Sequence, residues 1–408
     1  MKTLLHLALR SLRRNRRRSA ITLAAVGLGV AVVVFAYGFG EGLVALLVKD
    51  TLESRTGAIQ IHKKGWLEAQ ETLPVDLDLP ADEAFVARIR AVPGVAAASG
   101  RIAFGALLSN GETQTMVMAQ GIDPVAELAV TPGRRDDVAP ADGRFIDDES
   151  PHGAVIGKEL AAALGSELGA SLTLTTSTQD GGMNALDVDV IGLTPGAAFL
   201  ESKRATLVPL RYAQELLAME GRVTEYAVRV DDLSRVDEVA AELQRALGPE
   251  VEVHTWRDVM PFLRDSMNRL TLVLRGVSVV LFAIVVLGVI NTMLMSVYER
   301  VREIGTLLAI GVRRRQVQQL FLLEAFTLGA LGGIAGALLG FAVTWGLGET
   351  GIPIQSPGSA IVQVIEPVPS LPVALIAVVV AAAGALLAAL YPARKASRMN
   401  PVDALRDG

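Results

Sequence analysis

Few residues in this 408-residue chain have types and spacings that do covalent or metal chemistry. Cysteine is absent, which excludes thiol redox chemistry and Cys-based metal centres. The histidines His6, His62, His152 and His254 are dispersed, and no two have ligand spacing. The acids Asp142, Asp147, Asp148 and Glu149 cluster as a calcium site would. They lack the central glycine and closing glutamate of a calcium loop, so a solvated surface is the ordinary reading. GxSxG, HExxH and GxxxxGK[ST] are all missing, so the sequence encodes no hydrolase elbow, zinc-protease helix or P-loop. No catalytic residue and no metal ligand is expected. What stands out instead is mechanical. The stretch 299–324, ERVREIGTLLAIGVRRRQVQQLFLLE, is short, charged and set between two apolar runs. Such a loop, facing the cytoplasm, offers a soluble motor something to grip. Val301, Ile304, Leu307 and Leu308 share one helical face, with Arg300, Arg302 and Glu303 around it and Glu299 just before. Gly305 and Gly311 permit close backbone approach or termination.

Four uncharged runs, 19–40, 276–298, 325–348 and 367–393, must position this loop. Each is long enough to cross a hydrocarbon core, which takes about 20 apolar residues. Cytoplasmic loops retain Lys and Arg. Residues 1–18 carry Lys2, Arg10, Arg13, Arg14, Arg16, Arg17 and Arg18 without an acid, and residues 299–316 carry Arg300, Arg302, Arg313, Arg314 and Arg315. The tail carries Arg394, Lys395, Arg398 and Arg406, whereas 349–366 has Glu349 and Glu366 and no base. With an even number of spans both termini are therefore expected in the cytoplasm and 41–268 outside. The first run resembles a signal peptide in its basic flank, but its length and its YGFGEG ending predict an uncleaved anchor. In the third run Gly332, Gly336 and Gly340 fall on one face as a double GxxxG, serving either packing within one subunit or an interface between two. Glu324 is expected at the boundary of that run, among headgroups.

Residues 41–268 hold 36 acids and 20 bases, a net −16, and the remainder carries +11, which together give the formal −5. So acidic an exterior argues against nucleic-acid binding, and the basic ends read as topology signals beside anionic lipids. A domain of this size folds around its own core without disulfides. Helical spacing past residue 40 and ahead of 276 predicts stalks continuing both flanking spans. Between them strands are expected at 57–62, 117–121, 154–157, 171–176, 186–192, 226–230 and 251–254, with helices at 82–92, 158–164 and 236–247. The pattern is α+β in two lobes, joined through 131–152.

At this point the residues carry a resemblance. ERVREIGTLLAIG (299–311), YPARKASRMNPVDALR (391–406) and AVIGKELAAALG (154–165) are similar to segments of the MacB/FtsX superfamily of type VII ABC transporter permeases. The order span, exterior domain, three spans also matches, so the resemblance covers essentially the whole chain. It implies an α-helical membrane protein with four transmembrane helices and a large α+β extracytoplasmic domain inserted between the first two. The domain would divide into a Porter-like lobe (55–122 and 224–256) and a Sabre-like lobe (130–220). The resemblance also implies a bacterial inner-membrane location, a second permease subunit, the same or homologous, and a cytoplasmic ABC ATPase dimer. ATP and magnesium would be bound by that partner and not by this chain. Glu299, Arg300, Arg302, Glu303, Ile304, Gly305, Leu308 and Gly311 would make the ATPase-coupling surface, against an alternative in which the amphipathic segment lies on lipid.

Three functions follow from the resemblance. Lipoprotein extraction and release, as in LolC/LolE-like permeases, leads, on GAIQIHKKGW (57–66) and the hairpin 171–192. That hairpin is shorter than the LolC one and lacks its prolines, which argues against docking of a LolC-type carrier. The second is MacB-like mechanotransmission efflux through a periplasmic adaptor, and the third is FtsX-like signalling to wall hydrolases.

Overall fold

The computed structural model describes residues 16–194, 203–355 and 362–399. The basic N-terminal stretch up to residue 15 and the end of the tail, including Arg406, lie outside the described residues. Two compact units form: a helical one (to Leu46, Ser266–Ile352 and from Val364 on) and a mixed one (Leu47–Asp265 with Pro353–Gln363).

Along the chain the longer α-helices are α1 (Arg16–Thr51), α2 (Glu83–Arg90), α3 (Pro124–Val130), α4 (Lys158–Ala163), α5 (Leu210–Leu217), α6 (Val236–Leu247), α7 (Pro261–Glu299), α8 (Val301–Ala309), α9 (Arg314–Thr350) and α10 (Leu371–Ser397). The strands are β1 (Ile59–Lys63), β2 (Leu79–Pro80), β3 (Val95–Ser109), β4 (Gln114–Ile122), β5 (Gly153–Gly157), β6 (Ser171–Ser177), β7 (Met183–Thr194), β8 (Ala205–Pro209), β9 (Arg222–Val223), β10 (Glu225–Val230), β11 (Val251–Thr255), β12 (Ile352–Gln355) and β13 (Val362–Ile365).

In the helical unit α1, α7, α9 and α10 are long and apolar enough to cross a membrane. Lipid chains are as apolar as leucine, so nothing squeezes such helices together except close packing. Glycine supplies it. A Cβ on Gly332 would lie 2.9 Å from Val26 Cβ, one on Gly340 2.7 Å from the Ala31 carbonyl, and one on Gly336 would collide with the Gly27 carbonyl oxygen. The double GxxxG of α9 therefore packs on α1 of the same chain. A second glycine edge, Gly329 and Gly333, meets Ala381, Ala382 and Ala385 of α10. Both crossings are backbone to backbone. Between α1 and α7 the Thr22 hydroxyl donates to that of Thr292 at 3.1 Å.

The mixed unit is built on one nine-stranded sheet in the order β11-β1-β10-β3-β4-β8-β5-β7-β6, with β3 also pairing β6. The strands assigned above to the two lobes form contiguous blocks of this sheet. They are joined where β4 and β8 run parallel and where Leu107–Ser109 of β3 pair with Thr173–Thr175 of β6. This 15-residue strand, absent from the sequence reading, runs through both blocks. The segment 131–152, expected as a join between the lobes, packs over the sheet: Val138 and Ile146 are buried with Ile122 and Val155.

The two sides of the sheet differ. Ile59, Ile61, Ile102, Phe104, Tyr226 and Val228 point to one side and into the main core, with helices α2, α5 and α6. Strand alternation and register put His62, Glu225, Arg101 and Gln120 on the other side. Glu127 of α3 lies there, wholly buried. Its carboxylate accepts from Arg101 Nε at 2.8 Å and Nη2 at 2.7 Å, from Ser99 Oγ at 3.1 Å and from Thr131 Oγ1 at 2.7 Å. Arg134 Nε stands 3.2 Å from the same carboxylate, and its guanidinium donates to the carbonyls of Ser54 (3.0 Å) and Arg55 (3.1 Å) and to Gln120 Oε1 (2.7 Å). Burial pushes the Glu127 carboxyl up, but Arg101 and Arg134 outweigh it and hold it at about 2. Burial, reinforced by His254, lowers His62 to about 3, so its imidazole, stacked on Trp66 at 3.5 Å, is neutral.

Two outcomes are expected. Glu127→Gln removes the charge that two buried guanidinium groups share and should cost the domain about 3–5 kcal/mol, read from Trp66 and Trp256 fluorescence on unfolding. Because the folded carboxyl titrates at about 2 instead of its ordinary 4.5, the deficit should be full above about pH 4.5 and shrink as pH falls towards 2. Gly336→Leu should destabilise the helical unit by about 1–3 kcal/mol through overpacking, whereas Gly346→Leu on the same helix, with open space around it, should melt like the parent in detergent.

Candidate functional site

The loop between the second and third spans folds as a helix with two sharp corners. At the first, α7 stops at Glu299 and Arg300 leaves helical geometry at φ −113° before α8 begins. At the second, Gly311 adopts φ +94°. The Gly311 N–H then reaches the Leu308 carbonyl and the Val312 N–H the Leu307 carbonyl, the paired bonds of a glycine-terminated helix end. Any side chain at 311 would strain that turn. The Gln316 side chain accepts from the Arg313 N–H and opens α9.

One face of α8 is already occupied. Ile304 is buried with Val297, Val317, Phe321, Ala393 and Ala396, and Leu308 and Val312 pack at the edge of this cluster. Gly305 is buried too. The amphipathic signal thus reports packing onto α7, α9 and α10, not a face laid on lipid. Of the residues expected to couple, Glu299, Arg302, Glu303 and Gly311 are exposed, Arg300 and Leu308 are half-buried, and Ile304 and Gly305 face inward. The inward pair can only position the others.

Arg300 joins the corner to α9. Its Nη1 donates to Glu324 Oε2 at 3.2 Å, its Nε to Glu303 Oε2 at 3.2 Å, and its guanidinium lies 5.9 Å from the Phe321 ring centroid. Glu324 is buried, and the Arg300 guanidinium is its partner there. Sequence reasoning flagged both residues but not the pair, which closes across 24 residues. It also missed Ile310, a large apolar residue 73% exposed at the tip beside Arg313, Arg314 and Arg315.

Elsewhere the acid cluster is engaged with bases: Asp142 pairs with Lys158 at 2.6 Å and Asp147 with Arg144 at 2.7 Å. Among the described residues no group of three or more His, Asp or Glu is arranged to hold a metal.

With this geometry described, comparison with known proteins gives the family. The profile described as MacB-like periplasmic core domain matches residues 19–246, and that described as FtsX-like permease C-terminal matches 275–401, which contains α8 and the glycine stripe. The chain belongs to the MacB/FtsX superfamily of ABC transporter permeases. Among its relatives, the macrolide export ATP-binding/permease protein MacB of Marinobacter nauticus is 31% identical over 98% of this chain and 60% of that protein. MacB 1/2 of Paracoccus denitrificans is 27% identical over 99% of this chain and 58% of its own length. The chain spans 60% or less of the length of these relatives. The extracellular domain of the ABC-type transporter YknZ from Gram-positive bacteria covers 48% of this chain and all of its own at 18% identity, with a TM-score of 0.36.

Replacing Glu324 by Gln removes the buried carboxylate that Arg300 bonds. Because the pair is partly screened, the expected loss is about 1–2 kcal/mol, below that of a fully buried pair. Faster amide exchange across 301–309 than in the parent would register it, and unchanged exchange there would mean that the pair does not hold the corner.

Proposed function

We propose that this chain is the membrane subunit of an ABC transporter, coupling ATP hydrolysis by a separate cytoplasmic ATPase dimer to movement of its exterior domain. The observation that carries the proposal is the bracing of α8. Its apolar face is buried and its corner is tied to α9, so a push on its outer face moves the spans instead of bending the loop. Arg302, Glu303, Thr306 and Ile310 are what it presents outward. In this reading ATP and magnesium reside in the partner ATPase. In this reading the termini are cytoplasmic, which the distribution of Lys and Arg supports. A second permease, identical or homologous, completes the transporter.

The cargo we propose is lipophilic. Extraction of lipoproteins from the inner membrane is the reading drawn from the sequence. The alternative is efflux of a small molecule or peptide with a periplasmic adaptor, supported by relatives named for macrolide export. Affinity purification from native membranes, with mass spectrometry of proteins and acylated species, separates them. Triacylated proteins beside an ATPase support release; an adaptor beside an ATPase supports efflux.

The docking assignment has its own test. The variant Arg302→Glu with Ile310→Ser changes only exposed side chains, so insertion and melting should match the parent. Co-purified ATPase should fall about tenfold, as expected when about 1.4 kcal/mol of binding is removed. Undiminished ATPase recovery would place the contact elsewhere.

A further inference from the structure

The exterior domain contains a cleft of about 500 Å³ on the polar side of its sheet. That size is typical of a small-ligand pocket. Its walls include Met118, Phe145, Val155, Leu207 and Met260, and its floor is Arg101, Gln120 and Glu225. We infer that this cleft is a binding site for a single-chain amphiphilic anion, with the acyl chain against the apolar wall and the carboxylate or phosphate head on the arginines.

Three observations lead there. First, the floor is incompletely bonded. Glu127, behind it, is fully engaged, but Glu225 has only long contacts, Gln120 Nε2 at 3.3 Å and Arg101 Nη1 at 3.5 Å. Arg101 is entirely buried, and its Nη1 reaches Glu225 Oε1 only at 3.5 Å, without a well-formed hydrogen bond. A buried donor left in this state costs free energy. Second, the charge is one-sided. Arg55, Arg101, Arg134 and Arg204 line the cleft against the single carboxylate of Glu225. Among the described residues, with Glu127 counted as well, cations exceed anions by two. Burial also raises the Glu225 carboxyl, opposed by Arg101 and reinforced by Glu127. Third, most of the wall is apolar, so a fully hydrated anion would gain little from it. The volume suits one acyl chain with its head group.

The occupant would touch Ser54–Thr56, which follow α1, and Val259–Met260, which precede α7. These are the two points where the chain enters and leaves the domain. The inference is independent of the ATPase reading, because it concerns a site within one folded unit.

The test uses the full chain in lipid nanodiscs with photoreactive twelve-carbon probes carrying a carboxylate, an amine or an alcohol, and a photoreactive phosphatidylglycerol in the bilayer. The carboxylate probe should label peptides holding Met118, Phe145 or Met260, and dodecanoate should compete. Arg204→Glu, at an exposed position, should reduce that labelling about tenfold with melting unchanged, as expected for one lost charge-assisted contact. Leu207→Trp, which fills the cleft, should abolish it, with circular dichroism reporting that the variant is folded. Equal labelling by the amine or alcohol would overturn the choice of an anion. Cleft labelling by the phosphatidylglycerol probe instead would overturn the single-chain occupant, and carboxylate labelling confined to α1, α7, α9 and α10 would overturn the site.

Discussion

Glu127, clasped between Arg101 and Arg134, is the constraint around which the exterior domain is arranged. Burying three charges is tolerable only if each finds partners, and the partners here come from four separate stretches of chain. Arg101 and Ser99 come from β3, Thr131 and Arg134 from the segment after α3, Gln120 from β4, and the carbonyls of Ser54 and Arg55 from the turn after α1. The segment 131–152 must therefore lie over the sheet instead of hanging as a linker. The entry of the chain into the domain is fixed by the same guanidinium that neutralises Glu127. Gly133 belongs to this arrangement, since a Cβ there would sit 2.6 Å from Ser54 Oγ.

In the helical unit the corresponding constraint is steric. A membrane-spanning bundle has no water to squeeze it together, so α9 approaches α1 through Gly332, Gly336 and Gly340 and α10 through Gly329 and Gly333. Two neighbours held at backbone contact leave α9 little freedom to rotate. The α8 helix is joined to this fixed element by the Arg300–Glu324 pair and the Ile304–Phe321 packing.

Much of this was legible in the sequence, for identifiable reasons. Apolar length marks a span whatever surrounds it, and period-two alternation marked most strands of the exterior domain. The strand β3 was not legible because VAAASGRIAFGALLS is rich in Ala and Gly, which have weak strand preference; its pairing with three other strands, β10, β4 and β6, overrides that preference. The ionic core was hidden for a different reason. Arg101 and Glu127 are 26 residues apart, and each alone reads as a surface charge. Around α8 the period of the apolar residues was right, but periodicity says only that a face is covered, not by what. The glycine stripe posed the same choice, and the close approach of Gly27 and Ala31 decides it for packing within the chain.

The placement of Glu324 ties these strands of argument together. A carboxylate buried near the end of a membrane span is costly in isolation, and a glutamine would satisfy the helix at less cost. Glutamine has no charge with which to hold a guanidinium at a helix corner. With Glu324 in place, Arg300 has partners on α8 and on α9, and the bend after α7 has one preferred geometry. Without that geometry α8 would be held to the spans by the turn at Gly311 and the packing of Ile304 alone. Movement imposed on its outer face would then be absorbed at the joints. A buried charge here makes sense as a stiffener for an element whose outer surface is polar and whose inner surface is already filled.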